Sequence, residues 1–392
     1  MPRDAGSDFL DVDDLLSDED RAIRDTVRDF ADRELAPHIA EWYDEGTLPD
    51  GLGQMLGKLG LLGMHLEGYG CAGTSATAYG VACRELEAVD SGLRSFVSVQ
   101  GSLAMYGIHR WGTEEQKEEW LPRMASGEAI GCFGLTESDA GSDPGSMKTR
   151  AKRDGSGDDS DWVLNGSKMW ITNGTLADVA VVWAQTDDGI RGFAVPTDTK
   201  GFSAHKIQRK LSLRASVTAE LAFDDLRLPA AAVFPEVRGL KGPLSCLNEA
   251  RYGIVWGVVG AARACLEESL AYTSQREQFG RPLSSFQLTQ RKLALMTVAV
   301  NNASLVAWRL GALKDAGTLT PTQVSYGKYA NVRAALDVAR EARTTLGGAG
   351  ITLDHGVMRH MNNLETVMTY EGTEEMHLLS IGSELTGIPA FR

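Results

Sequence analysis

Six short segments of this 392-residue chain combine residue types that could do chemistry. TYEGTEEMH (369–377) holds Glu371 between Tyr370 and Gly372, at the entry to a final helix that Thr373 can cap. A carboxylate on such a junction can reach into a cleft and take a weakly acidic proton. Burial beside an apolar ligand raises its pKa toward working pH. ELEAVDSGLRS, with Ser98 after it, puts Arg94 and Ser98 four apart and Glu87 seven before Arg94. On one helix these share a face with Leu93 and Val97, which makes a partly buried charged pair. FGLTESDAGSD (133–143) is dense in hydroxyl and backbone donors able to hold a planar heterocycle and a phosphate. MWITNG (169–174) ends a strand on Trp170 and Thr172, which can stack on and hydrogen-bond an aromatic cofactor. Arg276 in RxQFGxP, with Gln287 beyond, offers a bidentate phosphate ligand. The paired glycines of LGGAGI (346–351) let a ligand approach the backbone closely.

Each segment also has an ordinary structural reading. The 133–143 loop is then a Gly/Ser turn and Trp170 a core residue at a strand end. Segments 276–282 and 346–351 are helix ends. Glu371 is a solvated partner of a helix dipole, and Arg94 a structural ion-pair member. The seven histidines show no HExxH or other ligand spacing, so no metal is expected. No GxSxG nucleophile turn occurs either.

Around these segments apolar spacing lays out three regions. Residues 1–129 read as helices. Ser17 caps one carrying Ile23, Val27, Phe30 and Ala31; Leu52, Met55, Leu56 and Leu59 mark a second. A third runs from about Ser75 to Glu87, and Thr113 with Gln116 is a capping box for a helix to Met124. Residues 130–236, with runs such as VLNGSKMWIT and DVAVVWAQT, read as a compact antiparallel β domain. In it Asn165-Gly166 is a hairpin turn and 154–161 a solvent loop. Helical periodicity fills 237–392; segments 246–274, 284–316 and 321–346 have the length of four-helix-bundle helices. The expected fold is mainly α with a central β domain.

Net charge is −14, from 53 acidic against 39 basic residues. Nucleic acids and anionic membranes select the opposite balance, so neither is expected as a partner. Five cysteines form no CxxC, which favours free thiols in a reducing compartment. The acidic start MPRDAGSDFLDVDDLL lacks the marks of a leader, and no run of 18 apolar residues occurs. A cytoplasmic protein without a membrane span is expected.

In this order the motifs resemble the acyl-CoA dehydrogenase family, over about residues 15–391. GYGCAG (68–73), CRELEAVDSGLRS (83–95), CFGLTE (132–137), CLNEARYGIVWGV (246–258), MRHMNNLETVMTYEGT (358–373) and TGIPAF (386–391) are most similar to its glutaryl-CoA-oxidising branch. The resemblance implies FAD, a homotetramer and electron delivery to an electron-transfer flavoprotein. It implies that Phe133, Leu135, Thr136, Gly141 and Ser142 line the flavin, Thr136 near its reactive edge and Ser142 also near the pantetheine. Trp170 and Thr172 would flank the ring. Arg276, Phe279 and Gln287, with Thr344, Leu346, Gly347 and Gly348, would hold the FAD of a neighbouring subunit. Thr373 and Glu375 would touch the cofactor. The Glu374-Glu375 pair departs from the commoner small or His residue followed by Asp or Gln.

The same resemblance makes Glu371 the catalytic base. It places Leu244, Asn248 and Arg251 along CoA, and Ser95, Ser98, Gly372 and Phe391 in the substrate-binding set. Arg94 would face a distal substrate carboxylate, because an unpaired buried charge is costly beside an alkane tail. The presence of both Glu87 and Tyr370 points to the decarboxylating type, which yields crotonyl-CoA and CO2. The alternative is a non-decarboxylating or other short-chain or dicarboxyl acyl-CoA dehydrogenase. An acyl-CoA oxidase stays open too. A flavin-bearing nucleic-acid binder is opposed by the net charge and by Glu371.

Overall fold

The computed structural model describes residues 7–390 apart from 156, 158 and 159. Phe391 therefore lies outside the described residues.

The N-terminal region contains α1 (Asp18–Phe30), α2 (Ile39–Glu45), α3 (Leu52–Lys58), α4 (Ala76–Val89), α5 (Ser91–Ser98), α6 (Tyr106–Trp111) and α7 (Glu114–Ala125). The capping boxes of Ser17 with Asp20 and of Thr113 with Gln116 both form. Ser75 caps α4. One expectation fails. Glu87 and Arg94 do not share a helix, because Asp90 is extended (φ −163°, ψ 142°) and ends α4. Its side chain then caps α5 by accepting from Gly92 N at 2.7 Å. An aspartate that offers the backbone its own acceptor competes with the helix ladder, and here it wins. A wide π-helical turn, Val99–Met105, joins α5 to α6.

The central region is one sheet of β1 (Gly131–Gly134), β2 (Arg150–Arg153), β3 (Trp162–Thr172), β4 (Val179–Thr186), β5 (Gly189–Pro196), β6 (Phe202–Lys206) and β7 (Thr218–Leu228). It runs β1-β4-β2-β3-β7-β6, with β5 on the other edge of β4. The sheet is mixed rather than antiparallel: β1 and β2 pair parallel with β4, end to end along one edge. Parallel pairing needs a long connection, and the 135–149 loop with the β2–β3 hairpin supplies it. The hairpin expected at Asn165-Gly166 is also absent. Both residues lie inside the continuous strand β3, at a register shift against β7. Gly166 adopts φ +140°, and a Cβ there would sit 2.6 Å from Thr149 Oγ1. Asn165 instead exchanges hydrogen bonds with Asp225 on β7, at 3.0 and 2.9 Å. The Asn-Gly pair is used for a bulge.

The C-terminal region has five helices: α8 (Lys241–Gln275), α9 (Gln287–Asp315), α10 (Pro321–Thr345), α11 (Val357–Thr369) and α12 (Glu374–Thr386). A two-residue ribbon, β8 (Glu277–Gln278) with β9 (Arg281–Pro282), links α8 to α9. By length and composition α9 could cross a membrane. Here it packs between α8 and α10 and leaves Leu288, Leu295 and Val298 exposed.

Glu85 ties these layers together. Its buried carboxylate accepts from Arg28 on α1 (2.9 Å), from its neighbour Arg84 (2.9 Å) and from Arg263 on α8 (2.6 Å). Burial alone would raise its pKa, but the guanidinium charges outweigh that and hold it far below the ordinary range. Glu85→Gln removes the one anion all three share, and breaking a buried pair costs about 3–5 kcal/mol. The variant should therefore unfold at a clearly lower temperature at pH 7. A depressed carboxylate contributes stability above its unfolded pKa and loses it as pH falls toward the folded value. The gap between wild type and variant should thus narrow below about pH 4. Melting curves that coincide at pH 7 would show that Glu85 carries no such weight.

Candidate active site

The residues around Glu371 come from three helices and one junction. α11 ends at Thr369, and the chain turns through Tyr370, Glu371 and Gly372 before Thr373 caps α12. Glu371 has φ +52° and Gly372 φ +94°. A non-glycine residue holds a left-handed conformation at a cost of roughly 1–2 kcal/mol, so the surroundings must fix it. They do so through the backbone: Arg251 Nε on α8 donates to Glu371 O at 2.7 Å. Lys328 Nζ on α10 donates to Tyr370 O at 2.6 Å and Gly372 O at 2.7 Å. The Glu371 residue is half-buried, yet Oε2 is enclosed and has no hydrogen-bond partner among the described residues. Burial pushes this carboxyl above its ordinary 4.5, while Arg94, Lys328 and Arg251 pull against that shift.

Beside Glu371 lies a second charged group. Arg94 is fully buried, and its Nε donates to Glu87 Oε2 at 2.6 Å. Its Nη2 donates to the Tyr370 hydroxyl, and Ser95 Oγ lies 3.2 Å from the same oxygen. Burial opposes the Arg94 charge, but Glu87 and Tyr370 outweigh it and hold the guanidinium above its ordinary value. Burial raises the Tyr370 phenol to about 12, so it is a donor at neutral pH. Arg94 Nη1, Glu87 Oε1 and Ser98 Oγ are buried with no partner among the described residues. The cluster fits against α8 because residue 257 is glycine: a Cβ there would stand 2.1 Å from Glu87 Oε2 and 3.1 Å from Arg94 Nε.

The structure thus brings together Glu87, Arg94, Ser95, Tyr370, Glu371 and Gly372, with Ser98 one turn beyond Arg94 on α5. Arg251 joins them through the Glu371 carbonyl, a contact the resemblance did not assign to it. Lys328 was missed. Its one signal was a lysine on an apolar face of a helix, level with Val324 and Val332. Asn248 lines a separate cavity of about 260 Å³ with Tyr106, Ser245, Glu249 and Lys314. Leu244 is partly exposed one turn before it on α8.

Among the proposed flavin contacts, the Phe133 and Leu135 side chains are core, so they can meet a ligand mainly through backbone. Thr136 O accepts from Met169 N at 2.8 Å, which fixes the loop against β3. Gly141 and Ser142 are exposed, and Gly141 has open space where a Cβ would lie. Trp170 has φ +65° and is 60% exposed, next to half-buried Thr172. A strained backbone that turns an indole outward beside free donors suits a planar heterocycle. Part of the ESDAGSD motif is structural, however. Glu137 accepts from buried Lys168 and from the backbone N–H groups of Lys148 and Thr149.

Arg276, Phe279 and Gln287 are exposed at the far end of α8 and the start of α9. Thr344, Gly347 and Gly348 are exposed at the end of α10, where Leu346 is buried. At 1.5 Å per helical residue, Arg276 is about 37 Å from Arg251 and Thr344 about 24 Å from Lys328. These two groups cannot serve one small site. Thr373 Oγ1 is engaged as the α12 cap, and Glu375 is exposed.

The chain is similar to known proteins along nearly its whole length. The acyl-CoA dehydrogenase N-terminal, middle and C-terminal domain families match residues 17–128, 132–226 and 237–386. A glutaryl-CoA dehydrogenase from Mycobacterium smegmatis, solved in complex with FADH2, superposes with a TM-score of 0.95 at 63% identity. That alignment covers 97% of this chain and 98% of the other. The butyryl-CoA dehydrogenase of Megasphaera elsdenii gives a TM-score of 0.89 at 33% identity, over 95% and 99% of the chains. The mitochondrial short-chain specific acyl-CoA dehydrogenase of Bos taurus is 36% identical over 94% of this chain and 90% of its own. With all three domains matched in order, this chain belongs to the acyl-CoA dehydrogenase family.

Proposed function

We propose that this protein is a FAD-dependent dehydrogenase of glutaryl-CoA that also decarboxylates its product to crotonyl-CoA. The observation that carries the reading is Arg94, a fully buried guanidinium with a nitrogen left over after Glu87 and Tyr370 are served. A butyryl tail offers that nitrogen and Ser98 Oγ nothing. A substrate carboxylate satisfies both with charge-assisted hydrogen bonds. The 63% identity to a glutaryl-CoA dehydrogenase supports the same choice over the short-chain reading, whose relatives stand at 33–36%.

Glu371 takes the α-proton of the thioester. When bound, FAD supplies the acceptor for the hydride leaving Cβ. By the family resemblance, the Glu371 backbone N–H would meet the thioester oxygen as charge builds there. Trp170, Thr172 and the 133–142 loop would hold the flavin ring. Arg276, Phe279, Gln287 and the 344–348 segment lie too far away and would serve a neighbouring copy, which calls for an oligomer; a homotetramer is proposed. The electron acceptor is an electron-transfer flavoprotein, as the family resemblance implies.

Glu371 then carries a proton. When the glutaconyl thioester loses CO2, the electron pair of the broken C–C bond spreads into the thioester. Glu371 returns its proton to the distal carbon, which gives crotonyl-CoA. Arg94 must release a carboxylate that departs as neutral CO2. Glu87, 2.6 Å from it, can keep the guanidinium charge compensated, and Tyr370 can guide the leaving group.

Glu371→Gln should keep flavin and lose substrate-driven flavin bleaching by roughly 10²–10⁴-fold or more. Stopped-flow bleaching at wild-type speed would remove Glu371 from the role. Because burial raises its pKa, the base is protonated and idle at low pH. The acid limb of single-turnover bleaching should therefore fall at a pH above 4.5 and rise toward neutrality. A limb at or below 4.5 would contradict an enclosed base.

Arg94→Ala should lose about 1.5–3 kcal/mol of binding or transition-state stabilisation with glutaryl-CoA, the worth of a charged hydrogen bond. It should lose far less with butyryl-CoA. The variant strands Glu87, so the ratio between the two substrates is the number to read. An unchanged ratio would make Arg94 a structural partner. Mass analysis of the wild-type product, with CO2 release, tests the decarboxylating step; glutaconyl-CoA as sole product would refute it.

A further inference from the structure

Lys328 has no part in the chemistry above, yet its ammonium sits at the centre of the site. It is 2% exposed on α10 and makes no ion pair among the described residues. Its hydrogen bonds go to backbone: Tyr370 O and Gly372 O, the carbonyls on either side of Glu371. Arg251 Nε takes the carbonyl between them. Three successive carbonyls are thus each held by a cation from another helix, fully buried in the case of Lys328 and half-buried in that of Arg251. The segment they hold contains two consecutive left-handed residues. It also carries two groups that address opposite ends of one substrate: the Glu371 carboxyl and the Tyr370 phenol that contacts Arg94 and Ser95.

We propose that Lys328 is a positioning residue, whose grip on the Tyr370 and Gly372 carbonyls aims the base and the carboxylate-reading phenol from one fixed segment while its charge faces the base. This rests on the reading of Glu371 as the base. The electrostatics agree. Glu371 faces Lys328 from α10, Arg251 from α8 and Arg94 from α5, with Glu87 behind Arg94. Tyr370 adjoins it, and His377 on α12, kept neutral by burial, lies against Gly372. Burial pushes the Lys328 ammonium below its ordinary value and Glu371 pulls it back up. An ammonium has three hydrogens and an isolated hydrophobic side chain none. A guanidinium keeps the charge but is longer and bulkier than the ammonium, so in this buried place it must shift the carbonyls it holds.

The test uses flavin-loaded protein with Lys328→Met, Lys328→Arg and Glu371→Gln. Flavin content, bleaching rate in one turnover and its pH profile are read with glutaryl-CoA and butyryl-CoA. Lys328→Met should retain flavin and bleach about 10²-fold more slowly with both substrates, as expected for a misplaced base. Its acid limb should move to higher pH, because one cation that favours the carboxylate is gone. KM should change less than the rate. Lys328→Arg should also be slow but keep the wild-type limb. A wild-type rate in Lys328→Met, or a slow rate with an unmoved limb, overturns the proposal. If Lys328→Met does not fold, Lys328→Arg decides: wild-type bleaching in it overturns the proposal, and slow bleaching at the wild-type limb supports it. If Glu371→Gln bleaches normally, the base assignment itself has failed. If it is inactive while both Lys328 variants behave as wild type, the clamp alone is wrong.

Discussion

An enclosed carboxyl faced by three cations is the constraint from which the rest of this site follows. Glu371 Oε2 has no donor among the described residues, and an isolated buried carboxylate is expensive. Three cations face it, from α5, α8 and α10, and none forms an ion pair with it. Two of them hold neighbouring carbonyls and the third is paired with Glu87. A direct ion pair would favour the anion and lower the proton affinity of the carboxyl; cations held back by other partners leave it above its ordinary pKa but still ionisable. The carboxyl therefore has one enclosed oxygen that no donor among the described residues engages.

That arrangement needs three regions of the chain to meet, and Asp90 makes the joint. By breaking α4 from α5 it caps one helix with Oδ1 and offers Oδ2 to Arg359 (2.7 Å) and Asn363 (2.8 Å) on α11. Asn363 in turn accepts from Leu213 N in the β region at 2.8 Å. The same α11 delivers Tyr370 and Glu371 at its end. One buried aspartate thus sets where Arg94 stands relative to Glu371, through hydrogen bonds that leave little room for adjustment.

Much of this was legible in the sequence. Helix starts were readable at Ser17, Ser75, Thr113 and Thr373, because a side chain capping a backbone three residues on is a local event. Glu371, Arg94, Ser95 and Tyr370 carried enough chemical character to be singled out, and the structure gathers them. What failed was non-local. Asn165-Gly166 signals a turn in isolation, but Asp225, sixty residues on, recruits Asn165 into a bulge. Asp90 looked like one more residue in a helical run, because its partners Arg359 and Asn363 lie far along the chain. Strand direction in the sheet was likewise unreadable: β1 is four residues of Gly, Cys and Phe, and its parallel partner begins 45 residues later. Lys328 stayed hidden because its partners are backbone carbonyls, which leave no mark in the sequence.

Gly257 gives this geometry a history as well as a shape. Any larger residue at 257 collides with Glu87 while the Glu87–Arg94 pair is present. Losing Glu87 first strands a buried guanidinium, and losing Arg94 first strands a buried carboxylate. A chain that gives up one member of the pair therefore passes through a destabilised intermediate unless both change at once. Gly257 adds a third dependence, since bulk at that position has room only once Glu87 has been replaced.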